Sequence, residues 1–389
     1  MTSIKMTILK IGIVCLNALY TLMKIIPCSK KAVFISRQFD YISVDFKLIN
    51  DELIKRDKQW KTVFLTKRIK SGLVGKIFYG FHIIRQMYHL ATSKVVIIDG
   101  YCIAVSILSH KKSLLVIQIW HAIGCMKKFG YAMIGEEEGS SEEIAKIMKM
   151  HRNYDWALIS SYSFINDYLE GFRISKDKIL QIPLPKADLL SDDDYVKNQR
   201  EKIFAEYPKL RDKKNILYCP TFRKNSDSEQ IGIKRLIELI DFETYNFIYN
   251  PHPNSKVVID DPNVISLPYK TMEVLPASDY VISDYSSVIY EAGLAKKSVF
   301  LYAYDWDEYS KKRSFNLDLE KDIPIVFSKE PQKIISAIKE CEFDKNKFSE
   351  FIKDNVVIPS GGCTKAIVDL IIGEREENDE RYNERNIEE

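Results

Sequence analysis

A chain of 389 residues with 46% hydrophobic and 12% aromatic residues is long for a single core and too apolar to be disordered, so two globular domains are expected. The net charge of +3 conceals an uneven distribution: residues 1–76 carry 15 Lys/Arg against 5 Asp/Glu, and residues 371–389 carry 3 Arg against 8 acidic residues. The basic beginning suits an anionic lipid surface or nucleic acid, and the acidic end reads as a solvated tail. Seven cysteines, odd in number and in no C-x-x-C pair, exclude a disulfide framework and read as reduced residues of a cytosolic protein.

Residues 11–23 form an uncharged run between Lys10 and Lys24. A spanning helix needs about 20 apolar residues, so this run predicts a helix lying in a membrane interface or docked on the protein's own core. Apolar strands follow at residues 32–36, 62–65, 95–98, 114–120, 156–160 and 179–182. Helical spacing separates several of them, at residues 43–55, 73–90, 142–151 and 164–171. The proline-and-aspartate stretch from Pro183 to Asp194 marks the crossing between domains. Beyond it the alternation resumes, with strands at 214–219, 247–250, 264–267, 281–283 and 298–303. Its helices fall at 231–240, 272–277 and 288–295. The pattern predicts α/β architecture: two doubly wound, Rossmann-like domains with parallel sheets and a cleft between them. The limits expected are residues 1–31 for the membrane or docking helix, 32–190 and 191–372 for the two domains, and 373–389 for the tail.

Residues 281–309, VISDYSSVIYEAGLAKKSVFLYAYDWDEY, read as strand, turn, helix and strand. Asp284, Ser286 and Ser287 stand at the helix start, where free N–H groups and the helix dipole favour a phosphate; helix capping is the plain alternative. Other polar groups follow strands directly: His121, Thr221 with Arg223, and His252. Imidazoles so placed suit a general base and a second proton donor, and each is also readable as a structural histidine. Arg223 could clamp a phosphate or form a surface ion pair. The D-x-D-like run Asp192–Asp194 follows no apolar strand and reads as linker. No metal-ligand spacing, Gly-rich phosphate loop or basic-aromatic interleaving appears, so no metal, no cofactor and no nucleic acid are expected.

In order, QIWHAIGCMKKFGY, ILYCPTFRK, NPHP, the 281–309 block and GGCTKAIVDLI resemble the CDP-glycerol glycerophosphotransferases of teichoic-acid synthesis, over residues 32–372. The resemblance implies a GT-B-like fold with an N-terminal acceptor side and a C-terminal CDP-alcohol side. It implies catalytic roles for His121 and His252, and phosphate contacts for Thr221, Arg223, Ser286 and Ser287. Its implied partners are CDP-glycerol, a lipid-linked glycan or polyol-phosphate acceptor and the cytoplasmic membrane surface, with peripheral attachment; homo-oligomers are left open. The expected reaction transfers glycerol phosphate and releases CMP, and CDP-ribitol transfer is the close rival. A GT-B glycosyltransferase, a sugar-nucleotide epimerase and an inactive membrane scaffold are more distant ones. Departures are Ala122 where the family commonly has Gly, the stretch Pro183-Leu184-Pro185-Lys186-Ala187-Asp188, and Gly361-Gly362-Cys363-Thr364-Lys365-Ala366. The short chain resembles primase-like members.

Overall fold

The computed structural model describes residues 3–223 and 225–373; the expected acidic tail lies outside the described residues beyond Gly373. The chain divides into two compact units. The first holds Met1–Ala122, Phe129–Lys186 and the chain from Val357; the second holds Ile123–Lys128 and Ala187–Val356.

The first unit carries β1 (Ser29–Ser36), β2 (Lys61–Thr66), β3 (Ser93–Ile98), β4 (Leu115–Gln118), β5 (Trp156–Ile159) and β6 (Ile179–Gln181). Their order is β2-β1-β3-β4-β5-β6, every pair parallel. Strands buried on both faces need apolar residues at every position, and Val95–Ile98 meets that demand with full burial. The second unit carries β7 (Lys214–Tyr218), β8 (Tyr245–Tyr249), β9 (Val264–Ile265), β10 (Tyr280–Ser283), β11 (Ser298–Tyr302) and β12 (Phe327–Ser328). Its order is β12-β11-β10-β7-β8-β9, again parallel throughout. The two doubly wound sheets expected from the sequence are therefore present. In each, the winding direction reverses beside the first strand, between β1 and β3 and between β7 and β10. Crevices at the C-terminal ends of strands open at such reversals, and ligands bind there.

Several local expectations are corrected. The Asp192–Asp194 run is the start of a helix, Asp193–Glu206, and not a linker: Asp192 accepts from the N–H groups of Asp194 and Tyr195 and so caps it. The helix expected from residue 231 begins at Ser226, where Asn225 caps it by accepting from Asp227 N–H. The helix expected over residues 142–151 stops at Ile147, and Lys149, His151 and Asn153 then take positive φ. Beyond Val356 the chain rejoins the first unit, where the sequence assigns it to the second. There, residues 363–373 are helical, and Asp369 receives an Arg56 hydrogen bond from the helix Val44–Arg56.

The N-terminal helix, Ser3–Met23, is longer than its uncharged run and long and apolar enough to cross a membrane. One face docks on the first unit: Tyr20 is fully buried with its OH on His110 Nδ1, and Asn17 donates to Ile107 O at 3.0 Å. The other face leaves Ile4, Ile8, Ile11, Val14 and Leu22 exposed. The helix Gly72–Ala91 packs beside it and exposes Leu73, Val74, Ile77, Phe78 and Phe81.

Candidate active site

In the first unit, the chain leaves β4 through a left-handed residue, Trp120, with φ 61°. A tryptophan there is strained and needs support from its surroundings. Its N–H donates to Gln118 Oε1 at 2.8 Å, and its ring lies 4.6 Å from that of Phe129 and 5.4 Å from that of Phe172. Gln118 is itself fixed, its amide donating to Gly100 O at 3.0 Å. The turn lays the His121 ring against the end of β3, where Nδ1–H donates to the Asp99 carbonyl at 2.9 Å. That bond selects the tautomer whose Nε2 carries the lone pair. Burial lowers the His121 pKa to about 4, with the Lys186 charge acting the same way and the Asp99 hydrogen bond opposing. His121 is thus neutral at pH 7, a proton acceptor. Ala122 is not among the positive-φ residues, so alanine fits where the family commonly has glycine. Gly124, with φ 72°, does need to be glycine: a Cβ there would stand 2.3 Å from the Tyr290 ring within the second unit. His151 is buried, with Nδ1 on Tyr154 OH at 2.9 Å.

In the second unit the sequence-predicted residues collect at the C-terminal ends of β7, β8 and β10. Asp284, fully buried, accepts from Thr221 N–H at 2.9 Å, Thr221 Oγ1 at 2.6 Å and Arg223 Nη2 at 2.8 Å. Arg223 also forks onto Asp305, Nε at 2.6 Å and Nη2 at 3.0 Å, and gives Nη1 to Thr221 O at 2.7 Å. The rings of Tyr285, Tyr304 and Tyr309 stand 5.1, 5.5 and 4.8 Å from its guanidinium carbon. Burial alone would lower the Arg223 pKa; the Asp284 charge and the Asp305 hydrogen bonds override it and raise the value. Among the described residues four of the five guanidinium N–H groups are engaged, which leaves one Nη1 hydrogen. Arg223 is therefore not a surface ion pair but a buried hub joining three sequence blocks. Asp305, Tyr304 and Tyr309 are residues that sequence reasoning missed; their block, YAYDWDEY, was visible, but nothing in it said that the aspartate faces Arg223.

Ser286 and Ser287 remain half-buried at the start of the helix Val288–Leu294. Ser286 Oγ accepts from Val288 N–H at 3.3 Å, so capping accounts for part of its role, whereas Ser287 makes no side-chain cap bond. His252 packs its ring 5.6 Å from Phe222, and its Nδ1 accepts from Asn254 N–H at 3.1 Å. In the neutral ring the proton then sits on Nε2, the reverse of His121. His121 lies in the first unit and His252 in the second. Among the described residues no group of three or more His, Cys, Asp or Glu side chains is arranged to hold a metal.

The family described as CDP-Glycerol:Poly(glycerophosphate) glycerophosphotransferase matches residues 18–373. The chain is 28% identical over 352 residues to a teichoic acid ribitol-phosphate primase of Bacillus spizizenii, covering 88% of this chain and 90% of that one. It is 31% identical over 245 residues to a teichoic acid glycerol-phosphate primase of Bacillus subtilis, covering 60% and 61%. The solved structure of the wall teichoic acid polymerase TagF superimposes with a TM-score of 0.73 at 19% identity, covering 96% of this chain and 98% of that one. The GT-B-like fold class follows from these likenesses together with the two parallel sheets.

Proposed function

Since the chain belongs to the CDP-glycerol:poly(glycerophosphate) glycerophosphotransferase family, we propose that it moves glycerol phosphate from CDP-glycerol to a hydroxyl of a membrane-linked glycan or polyol phosphate in teichoic-acid synthesis. The acceptor oxygen attacks the phosphorus bonded to glycerol, its proton passes to His121 Nε2, and the pyrophosphate bridge breaks to release CMP. His252 Nε2–H, Ser286 and Ser287 stabilise charge on the phosphates. Such transfer is mostly positioning and electrostatics, so donors fixed in advance suit it. The opposed tautomers of His121 and His252, each set by a backbone partner, carry this reading. Thr221, Arg223 and Asp284 act behind the site by holding the β7 and β10 ends in place.

CDP-ribitol is the second reading, favoured by the breadth of the match to the ribitol-phosphate primase. Purified protein is expected to release CMP from CDP-glycerol when given a short-chain lipid-linked glycan ending in glycerol phosphate. Preference for CDP-ribitol by tenfold or more in kcat/KM reverses the donor assignment. Release of a nucleoside diphosphate from a UDP-sugar instead rejects the phosphotransferase reading.

The membrane surface supports the same assignment. The exposed apolar faces of Ser3–Met23 and Gly72–Ala91 are interspersed with exposed Lys5, Lys10, Lys70 and Lys76, a pattern that suits an anionic interface. Tyr20 and Asn17 tie the first helix to the protein, so we assign peripheral docking and not a span. Full burial of one large apolar side chain contributes roughly 1.5–3 kcal/mol. The double substitution Phe78→Glu, Phe81→Glu should therefore lower partitioning onto phosphatidylglycerol vesicles by about 100-fold or more. Unchanged co-sedimentation of that variant would remove Gly72–Ala91 from the docking surface.

A further inference from the structure

His121 rests on a main-chain carbonyl at the end of β3, whereas His252 sits half-buried on a turn whose Pro251, Pro253 and Asn254 are exposed. An exposed turn holds a side chain in one place only when its ends are fixed. The backbone closes this turn, with Ser255 N–H on the His252 carbonyl at 2.7 Å, while Asn254 N–H meets His252 Nδ1 at 3.1 Å. Both ends of the turn then lead to Glu229, wholly buried on the helix Ser226–Ile237. One carboxylate oxygen accepts from the Tyr249 hydroxyl at 2.8 Å, and the other accepts from Ser255 Oγ at 2.9 Å. Tyr249 ends β8, three residues before His252, and Ser255 stands three residues after it. Ser255 Oγ also accepts from Val257 N–H at 3.2 Å, which leaves its one proton for Glu229. Gly232, on the same helix, permits close seating: a Cβ there would stand 2.6 Å from the ring of Tyr304, beside Arg223. In the sequence Glu229 belongs to the polar run KNSDSEQ and looks no different from Asp227; in the fold Asp227 is exposed and Glu229 is not. A carboxylate taken wholly out of water is costly, and such groups collect where they have a task.

We propose that Glu229 is the positioning residue of His252: it clamps the two ends of the turn and so fixes the imidazole with Nε2–H directed to the phosphates. The inference rests on the reading of His252 as a donor to those phosphates. Wholly buried, Glu229 meets no substrate and moves no proton; it acts through Tyr249 and Ser255 alone. Without it the ends of the turn part, Asn254 N–H leaves Nδ1, and the ring samples other orientations. Misplacing a catalytic group by about 1 Å costs roughly 100-fold in rate.

The test is a double-mutant cycle in the full chain, read as CMP release from CDP-glycerol with the lipid-linked glycan acceptor. Glu229→Ala should lower kcat by about 10- to 100-fold in the wild-type background. In the His252→Ala background it should lower kcat by less than about twofold, because the two residues act as a unit. Glu229→Gln should regain most of the turnover, since its amide accepts from one hydroxyl and donates to the other. Ser255→Ala and Tyr249→Phe, each cutting one arm of the clamp, should fall between wild type and Glu229→Ala. They carry the same comparison should Glu229→Ala fail to fold. Amide hydrogen exchange supplies a readout without turnover: Asn254, Ser255 and Val257 should exchange about tenfold faster in Glu229→Ala and Ser255→Ala than in wild type, the loss of one or two hydrogen bonds. An equal fall in kcat in both backgrounds makes Glu229 an ordinary core residue and overturns the proposal. Unchanged exchange in the turn overturns it as well. Near-normal turnover by His252→Ala sinks the donor reading and the role of Glu229 with it, even where exchange still shows the clamp, so the two failures are told apart.

Discussion

Replacing Arg223 by alanine is expected to lower the melting temperature of the protein by about 10 °C, with the loss seated in the second unit. The side chain is 6% exposed, and it neutralises Asp284, wholly buried, and Asp305, 11% exposed. Removing one partner of a buried ion pair strands the other charge and costs about 3–5 kcal/mol; the stranded charges here number two. For a unit of this size each kcal/mol corresponds to about 2–4 °C. Arg223→Lys should recover little, because an ammonium group cannot reproduce the fork onto Asp305 together with the bonds to Asp284 and Thr221. Arg223→Met combined with Asp284→Asn and Asp305→Asn should recover more, since it removes the stranded charges as well. Differential scanning calorimetry beside calorimetric titration with CDP-glycerol decides the matter. A variant that melts within about 2 °C of wild type yet binds CDP-glycerol tenfold more weakly would make Arg223 a ligand clamp after all.

His121→Ala should cost about 10²–10⁴ in kcat, the range for loss of a positioned general base, and should leave CDP-glycerol affinity nearly unchanged. The geometry gives the reason. The imidazole is held by the first unit's own β3 end, and the nucleotide is assigned to groups of the second. The effect therefore belongs in kcat, with binding intact. His252→Ala should lower kcat and also weaken nucleotide binding, because its Nε2–H is assigned to the phosphates. Measuring CMP release and nucleotide affinity on each variant separates the roles. Equal losses of affinity in both variants contradict the division of labour.

The strands were legible because parallel strands buried on two faces must be apolar throughout, and such runs are visible without knowing their neighbours. Helix Asp193–Glu206 was hidden by its composition: DDYVKNQREKIFAE buries only Ile203 and Phe204, so no apolar stripe announces it. The site residues were legible one by one and their relations were not. Arg223 meets aspartates 61 and 82 positions away, and His121 takes its tautomer from a carbonyl 22 positions back. Spacing shows a histidine or an arginine after a strand; sheet order decides which partners it meets.

The first unit closes only with the last part of the chain, since its core includes Cys363, Ile367, Val368 and Ile371, and Val357 N–H bonds to Ser160 O at 2.8 Å. On the ribosome its sheet strands are made first, yet they wait while the intervening 170 or so residues of the second unit are synthesised, roughly 10–30 s at ordinary elongation rates. During that interval the face destined for residues 363–373 stays open to solvent and to chaperones, so a nascent chain stalled before Val357 presents a sticky half-product.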